Sequence, residues 1–333
     1  MKSDTKIDFK LSDWDIVGHE NQIEYLKSSV LKNDIAHSYL FSGEEKIGKK
    51  RIALTFIKSL MCLSDLRPCN KCISCQQIDK LIHPDVAFIS STGSIKIEAI
   101  RGIISKTNLK PFNAPYKVAI INNAENLTNE AANAFLKTLE EPPGQSVIIL
   151  ITKDHSLLLP TIISRLRMIR FFRVPTKDLE KLINGDKDKD LLLKIASGKT
   201  GKIFDLINDP TKIIKYENWL EQLDEILSGD KVKNLEYSTQ IAKIYDSDPE
   251  EVIEMLRFWI LIFRDFLDFK HKEPLFFKQN NLNFMETLNT EVIIDIIRYI
   301  GYIENKISNI NSGINSKLAL DLVILKIGKI KKL

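Results

Sequence analysis

No run of apolar residues in this sequence approaches the roughly 18 that a membrane-crossing helix needs, so no membrane role is expected. The opening MKSDTKIDFK is polar and charged, unlike the apolar stretch of a secretory signal, and the expected location is cytoplasmic. Charge of one sign is not in large excess: a net +4 on 333 residues permits a nucleic-acid partner without requiring one. Cysteine is scarce, and all four fall between positions 62 and 75, which excludes a disulfide framework spread along the chain. From about residue 213 onward there is no cluster of candidate catalytic residues. What is present is an ordinary globular composition, 44% hydrophobic and 28% charged, on a chain long enough for two or three cores.

The stretch around which the rest is organised is Val118 to Pro143, VAIINNAENLTNEAANAFLKTLEEPP. Val118 to Ile121 is short, branched and apolar, the pattern of a buried strand in a parallel sheet. Thr128 is placed to cap a helix on which Ala131, Ala132, Phe135, Leu136 and Leu139 recur at helical spacing until Pro142-Pro143-Gly144 ends it. The carboxyl end of a strand feeding a capped helix is where α/β proteins hold ligands. In an NTPase the first residue after such a strand is an Asp that holds magnesium, and an acidic neighbour polarises water. Here those places carry Asn122 and Asn123, which bring no negative charge to a divalent cation.

A second strand-to-helix unit lies upstream. His37 to Phe41 predicts a strand, Gly43-Glu-Glu-Lys-Ile-Gly48-Lys49-Lys50 a loop, and Arg51 to Met61 a helix burying Ile52, Ala53, Phe56, Ile57 and Leu60. This is the setting of a phosphate loop, GxxxxGK[ST], complete except at its last place, where Lys50 replaces a magnesium-binding hydroxyl. Gly43 and Gly48 free the backbone to wrap a phosphate, and Lys49 is its counter-ion. With Asn122, Asn123 and Thr152, these form a degenerate nucleotide-binding set from which no Mg²⁺ is expected. Two states of the pocket are open: a metal-free phosphate cradle, or a pocket filled by Lys50 pairing with Glu44 or Glu45.

Cys62, Cys69, Cys72 and Cys75 place two successive CxxC steps in a polar segment, the spacing of a closed, structural zinc site of four thiolates. Residues 14 to 36 predict a turn and a helix with Ile23, Leu26, Val30 and Leu31 on one side. Further strands are expected at Val86 to Ser90, Val147 to Ile151 ending in Thr152, and Met168 to Val174. Helices are expected at Ile95 to Lys106 and Ser156 to Leu166. The fold class is α/β with a parallel sheet covered on both faces. Arg101, Lys106 and Lys110 are candidates for sequence-independent phosphate contact with DNA, each weighed against a simple solvated face. After Pro175 short helices at Thr176 to Asn184, Asp188 to Ala196 and from Lys202 suggest a small lid. Long helical patterns follow: Trp219 to Leu227, Leu235 to Tyr245, Glu250 to Phe269, Thr290 to Ile307 and Ser316 to Ile327. The expected domains are 1–174 with the cysteine module at 62–75 inserted, 175–212, and a helical domain at 213–333.

Taken in order, IVGHE, HSYLFSG, the cysteine module, KIEAIR, AxNAFLKTLEEPP and LLPTIISR resemble the delta prime subunits of the bacterial DNA polymerase III clamp loader, within the AAA+ clamp-loader family. The resemblance runs through the first 210 residues or so and more faintly to NSKLALDLVIL, Asn315 to Leu325. It implies an AAA+ P-loop domain, a helical lid and an all-α collar for oligomerisation. It also implies that Arg165, supported by Ser164, is an arginine finger reaching a neighbour's ATP, though the family's following cysteine is here Leu166. Family motor subunits keep the loop hydroxyl, the strand Asp and a lid arginine; this chain has Lys50, Asn122 and Gly201.

The implied function is a subunit without intrinsic ATPase or polymerase activity in the DNA polymerase III holoenzyme. It would assemble with gamma/tau motor subunits and the delta subunit to load the sliding clamp onto primer-template DNA. Two alternatives stand beside it. A gamma/tau-like motor ATPase would need Lys50 to swing aside and Glu125 to help with magnesium, at a cost of several kcal/mol for an ammonium beside a divalent ion. A zinc-bearing DNA-binding module with a vestigial ATPase fold would show salt-sensitive DNA binding.

Overall fold

The computed structural model describes residues 10–183, 189–227, 230–269, 289–308 and 315–329. The chain divides into two compact units, Met1–Asn184 with Ala196–Ile203, and Gly185–Ile195 with Phe204–Leu333.

The first unit opens with β1 (Lys10–Leu11), α1 (Glu20–Leu31), β2 (Ser38–Ser42), α2 (Lys49–Met61), β3 (Leu66–Arg67) and α3 (Ile73–Asp79). It continues through β4 (Val86–Ser90), α4 (Ile97–Thr107), β5 (Lys117–Asn122), α5 (Asn129–Glu140), β6 (Ser146–Thr152), α6 (Pro160–Ile163), β7 (Arg167–Arg170) and α7 (Thr176–Leu179). Five strands form one sheet in the order β4-β5-β6-β2-β7, all neighbours parallel; β1 and β3 pair separately.

Side chains alternate across a strand, and the two sheet faces accordingly carry separate cores. Tyr39, Phe41, Ile120, Ile149 and Ile169 join Ile23 and Leu26 of α1 and Ile52 and Phe56 of α2. Leu40, Ala119, Ile121, Ile148 and Leu150 join Ile100 and Ile103 of α4, Phe135 and Leu139 of α5, and Ile162 of α6. Both faces being covered explains why the strands read as unbroken apolar runs. Thr128 caps α5, its Oγ1 accepting the N–H of Ala131 at 3.2 Å.

Several boundaries differ from the sequence reading. Leu31, expected inward, is exposed at the last turn of α1. The helix expected from Ser156 to Leu166 is a short 3₁₀ turn at His155–Leu157 followed by α6, because Pro160 lacks an N–H and starts a new helix at its first position. β7 stops at Arg170: Phe171 N–H still donates to Ser42, but Val174 N–H goes to the carbonyl of Gly198. The helix expected at Thr176 to Asn184 is one turn followed by 3₁₀ at Glu180–Leu182; its expected end, Asn184, and Asp188 lie outside the described residues.

The remaining helices are α8 (Lys189–Ala196), α9 (Thr200–Asn208), α10 (Thr211–Leu227), α11 (Lys231–Ser247), α12 (Pro249–Phe269), α13 (Thr290–Ser308) and α14 (Ser316–Gly328). Within the second unit α11 packs on α14 and α12 on α13. The indole of fully buried Trp259 donates to the carbonyl of Trp219 at 3.1 Å, and Tyr216 meets Trp219 and Phe258 edge-on at 5.0 and 4.9 Å between ring centres. Among the described residues no helix is long and apolar enough to cross a membrane.

Candidate functional site

The carboxyl ends of β2, β5 and β6 gather the sequence-predicted pocket residues, since Ser42 is in register with Thr152 and Asn122 with Ile151. At the start of the loop Gly43 has φ +151°, and a Cβ there would stand 2.4 Å from the carbonyl oxygen of Phe171; only glycine lets the chain pass this close to the next strand. Its N–H donates to Thr152 at 3.2 Å. Lys49, buried at the first position of α2, turns its Nζ back to donate to the carbonyls of Gly43 and Glu44. Burial lowers its pKa to about 8, opposed by the charges of Glu125, Glu45 and Glu44. Behind the loop, buried His19 has its Nε2 2.8 Å from the carbonyl of Ile47. Burial lowers the imidazole's pKa, and a carbonyl partner requires that nitrogen to carry the proton.

Lys50 does not pair with Glu44 or Glu45. It is exposed, and its Nζ sits 4.8 Å from the centre of the Phe88 ring. Glu44 is taken instead by residues the sequence reading missed: Arg173 donates through Nε and Nη2 to the two carboxylate oxygens at 2.8 and 2.9 Å, and Lys199 Nζ lies 3.1 Å away. Arg173 is itself steadied by an Nη1 hydrogen bond of 3.0 Å to Ser197 Oγ. The Arg173 hydrogen bonds hold the Glu44 carboxyl down to about 2, against partial burial and with Lys199 assisting. Two residues on, the N–H of Gly201 donates to the carbonyl of Lys46 at 2.7 Å. No local pattern marks these partners, which stand more than a hundred residues from the loop; the paired acids Glu44-Glu45 are the only hint.

Opposite the loop, both asparagines are committed locally. Asn122 Nδ2 donates to Ser90 Oγ at 2.9 Å, and Asn123 Nδ2 to the carbonyl of Ser91 at 3.1 Å. Thr152 is buried with its hydroxyl donating to the carbonyl of Asp154 at 2.9 Å. Glu125 directs one carboxylate oxygen into a buried position without a hydrogen-bond partner.

Arg165 belongs to the other pole of the sheet. Its carbonyl accepts from Ser38 Oγ at 2.8 Å, at the first residue of β2, whereas the loop leaves the last residue of that strand about 13 Å further on. The guanidinium is one-third exposed, pairs with Glu140 at 2.5 Å, and donates to the carbonyl of Thr161 at 2.6 Å and to Ser164 Oγ at 3.3 Å. It is therefore remote from this chain's own loop.

The four cysteine sulfurs all lie within 4.8 Å of one another, with Cys62 and Cys72 3.9 Å apart. Sulfur–metal bonds of about 2.3 Å in a tetrahedron require roughly 3.8 Å between sulfurs. The N–H groups of Cys69 and Cys72 point at the sulfurs of Cys62 and Cys69 at 3.4 and 3.2 Å, which favours thiolates. The donor set thus fits a metal ion. Arg101, Lys106 and Lys110 are all exposed, but Arg101 and Lys106 are about 140° apart around α4 and Lys110 lies beyond it, so they do not form one face. A groove of about 430 Å³ at the edge of β7, lined by Tyr25, Arg167, Arg170 and Phe172 among others, contains none of the predicted site residues.

A loop of phosphate-loop pattern leaving an inner strand of an all-parallel sheet with helices on both faces is the arrangement of a P-loop α/β fold. Residues 18–175 match the protein family described as DNA polymerase III, delta subunit, and over this segment the chain is similar to clamp-loader subunits of DNA polymerase III. It is 38% identical over 181 residues to the delta prime subunit of Bacillus subtilis (strain 168), covering 53% of this chain and 54% of that one. To the tau subunit of the same organism it is 29% identical over 252 residues, 73% of this chain and 45% of the relative. The chain thus spans about half the length of these curated relatives. A solved gamma subunit-related protein of Thermotoga maritima is 21% identical with a TM-score of 0.48, covering 93% of this chain and 99% of that one.

Proposed function

We propose that this chain is a clamp-loader component, a delta prime-like subunit that does not hydrolyse ATP and that lends Arg165, with Ser164, to a neighbour's ATP. Its partners on this reading are gamma/tau motor subunits and a delta subunit, and through them the sliding clamp and primer-template DNA. The observation that carries the reading is the double substitution of the metal-holding positions. Lys50 supplies a cation where a hydroxyl would bind magnesium, and the Asn122 side chain, which replaces a carboxylate, donates to Ser90. Arg165 lies at the opposite pole from the loop, which a residue serving another molecule's site requires. A guanidinium is permanently charged and planar, and a finger of this kind contributes roughly 10³ to 10⁵ in rate.

The division into 1–174, 175–212 and 213–333 goes with this reading, the last segment serving assembly. Cys62, Cys69, Cys72 and Cys75 would hold a structural zinc ion, which when bound cross-links the segment between α2 and β4. Sulfurs approached by backbone N–H groups are what this chain contributes to that site.

The test is a complex of this chain with motor subunits. Arg165→Ala is expected to lower clamp- and DNA-stimulated ATP turnover at least tenfold at the adjoining site while leaving assembly intact. An unchanged rate in the assembled complex sinks the finger role. A second reading, a gamma/tau-like motor, draws support from the longer similarity to tau, 73% of this chain against 53% for delta prime, and from the unpartnered Glu125 oxygen. Magnesium-dependent turnover by the isolated chain would establish it.

A further inference from the structure

The way Glu44 is held repeats the way an enzyme holds a phosphate. Both of its oxygens are engaged by the fork of Arg173 at 2.8 and 2.9 Å, and an ammonium, Lys199, adds a contact at 3.1 Å. Bidentate guanidinium plus ammonium is a donor set that suits carboxylate and phosphate alike. The guanidinium is fixed in advance by Ser197, so its orientation does not depend on Glu44 alone. Arg173 and Lys199 together carry two positive charges, as many as the magnesium ion whose ligands this loop lacks. Lys49 supplies a third cation beside the same loop, at present satisfied by two main-chain carbonyls.

We propose that Arg173 and Lys199, with the loop from Gly43 to Lys49, form a metal-independent polyphosphate site whose resident occupant is the carboxylate of Glu44. The inference rests on the reading of the chain as non-hydrolysing and goes beyond it, because it names what keeps the loop silent and what it takes when released. Glu44 and Arg173 side chains are each 47% exposed, so an anion in solvent can reach the fork and the carboxylate has room to withdraw. The Gly201 N–H bound to Lys46 holds the far side of the loop against the same segment. Polyphosphate therefore competes with an internal anion of lower charge but far higher effective concentration, and in the unsubstituted chain the internal anion wins.

The experiment is calorimetric titration of pyrophosphate into the full chain in magnesium-free buffer. Glu44→Gln removes the occupant and keeps its shape, and is expected to bind pyrophosphate at least tenfold more tightly than the unsubstituted chain. Glu45→Gln makes the same change of net charge beside the clasp and is expected to gain less than threefold. Adding Arg173→Ala to Glu44→Gln is expected to abolish the gain. Glu44→Ala makes the same charge change without an amide, covering the case that glutamine disturbs the loop. No gain in either Glu44 variant, an equal gain in Glu45→Gln, or a gain that survives loss of Arg173 overturns the proposal. Magnesium-dependent ATP turnover by the unsubstituted chain overturns instead the non-hydrolysing reading, a result distinct from silence in the Glu44 variants.

Discussion

At Glu44 a single carboxylate takes up both Arg173 and Lys199, and its titration is a direct test of that. Its folded pKa, about 2, lies below the ordinary carboxylate value. The clasp is therefore complete above roughly pH 4.3 and is lost as pH falls toward 2. Carboxyl chemical shifts of Glu44 should titrate near 2; a midpoint near 4 would mean that Arg173 does not hold it in solution. A different residue tests the core: Ile149 is fully buried on the inner strand β6, and Ile149→Ala is expected to cost about 2–5 kcal/mol in urea unfolding. A loss below 1 kcal/mol would contradict the packing. At this scale the sequence exposed the residues that glycine spacing and strand ends mark, Gly43, Gly48, Lys49 and Asn122. It hid Arg173, Lys199 and Glu140, because a salt bridge between distant segments leaves no trace in local periodicity.

Strands and helices followed from apolar pattern wherever one face or both had to be buried, so β2, β5 and β6 and the helices α2 and α5 were legible to within two residues. What was not legible was where an element ends when its last hydrogen bonds are claimed from elsewhere. β7 is shortened because Val174 donates to Gly198, and Pro160 divides a continuous helical pattern. Gly201 belongs to this class of tertiary effect. A Cβ at that position would stand 2.7 Å from the carbonyl oxygen of Lys46. Gly201→Arg, which restores the motor residue by alignment, should therefore lower stability by about 1–3 kcal/mol and yield no ATPase. Unchanged thermal stability would show that the loop and the start of α9 are not held together as described. For the cysteine segment, protein purified under reducing conditions should contain about one zinc per chain, and Cys72→Ser should lower both zinc content and melting temperature; metal-free protein of unchanged stability would remove the structural zinc from the account.

Over the whole chain, the proposed role predicts that the isolated protein hydrolyses no ATP and that its mixture with motor subunits does. Size-exclusion chromatography with light scattering, read beside turnover, checks both at once. A resemblance to clamp-loader subunits and an α/β class were accessible from ordered motifs, since these depend on contiguous residues. The pairing of Glu44 with Arg173 and Lys199 was not, because it depends on which partners charged groups find across distant segments. Arg165 lies at one pole of the sheet and the loop from Gly43 to Lys49 at the other. On the proposed reading, copies stacked front to back would each turn Arg165 toward a loop that does not hydrolyse ATP. On that reading such a protein would end a row of working subunits rather than extend it.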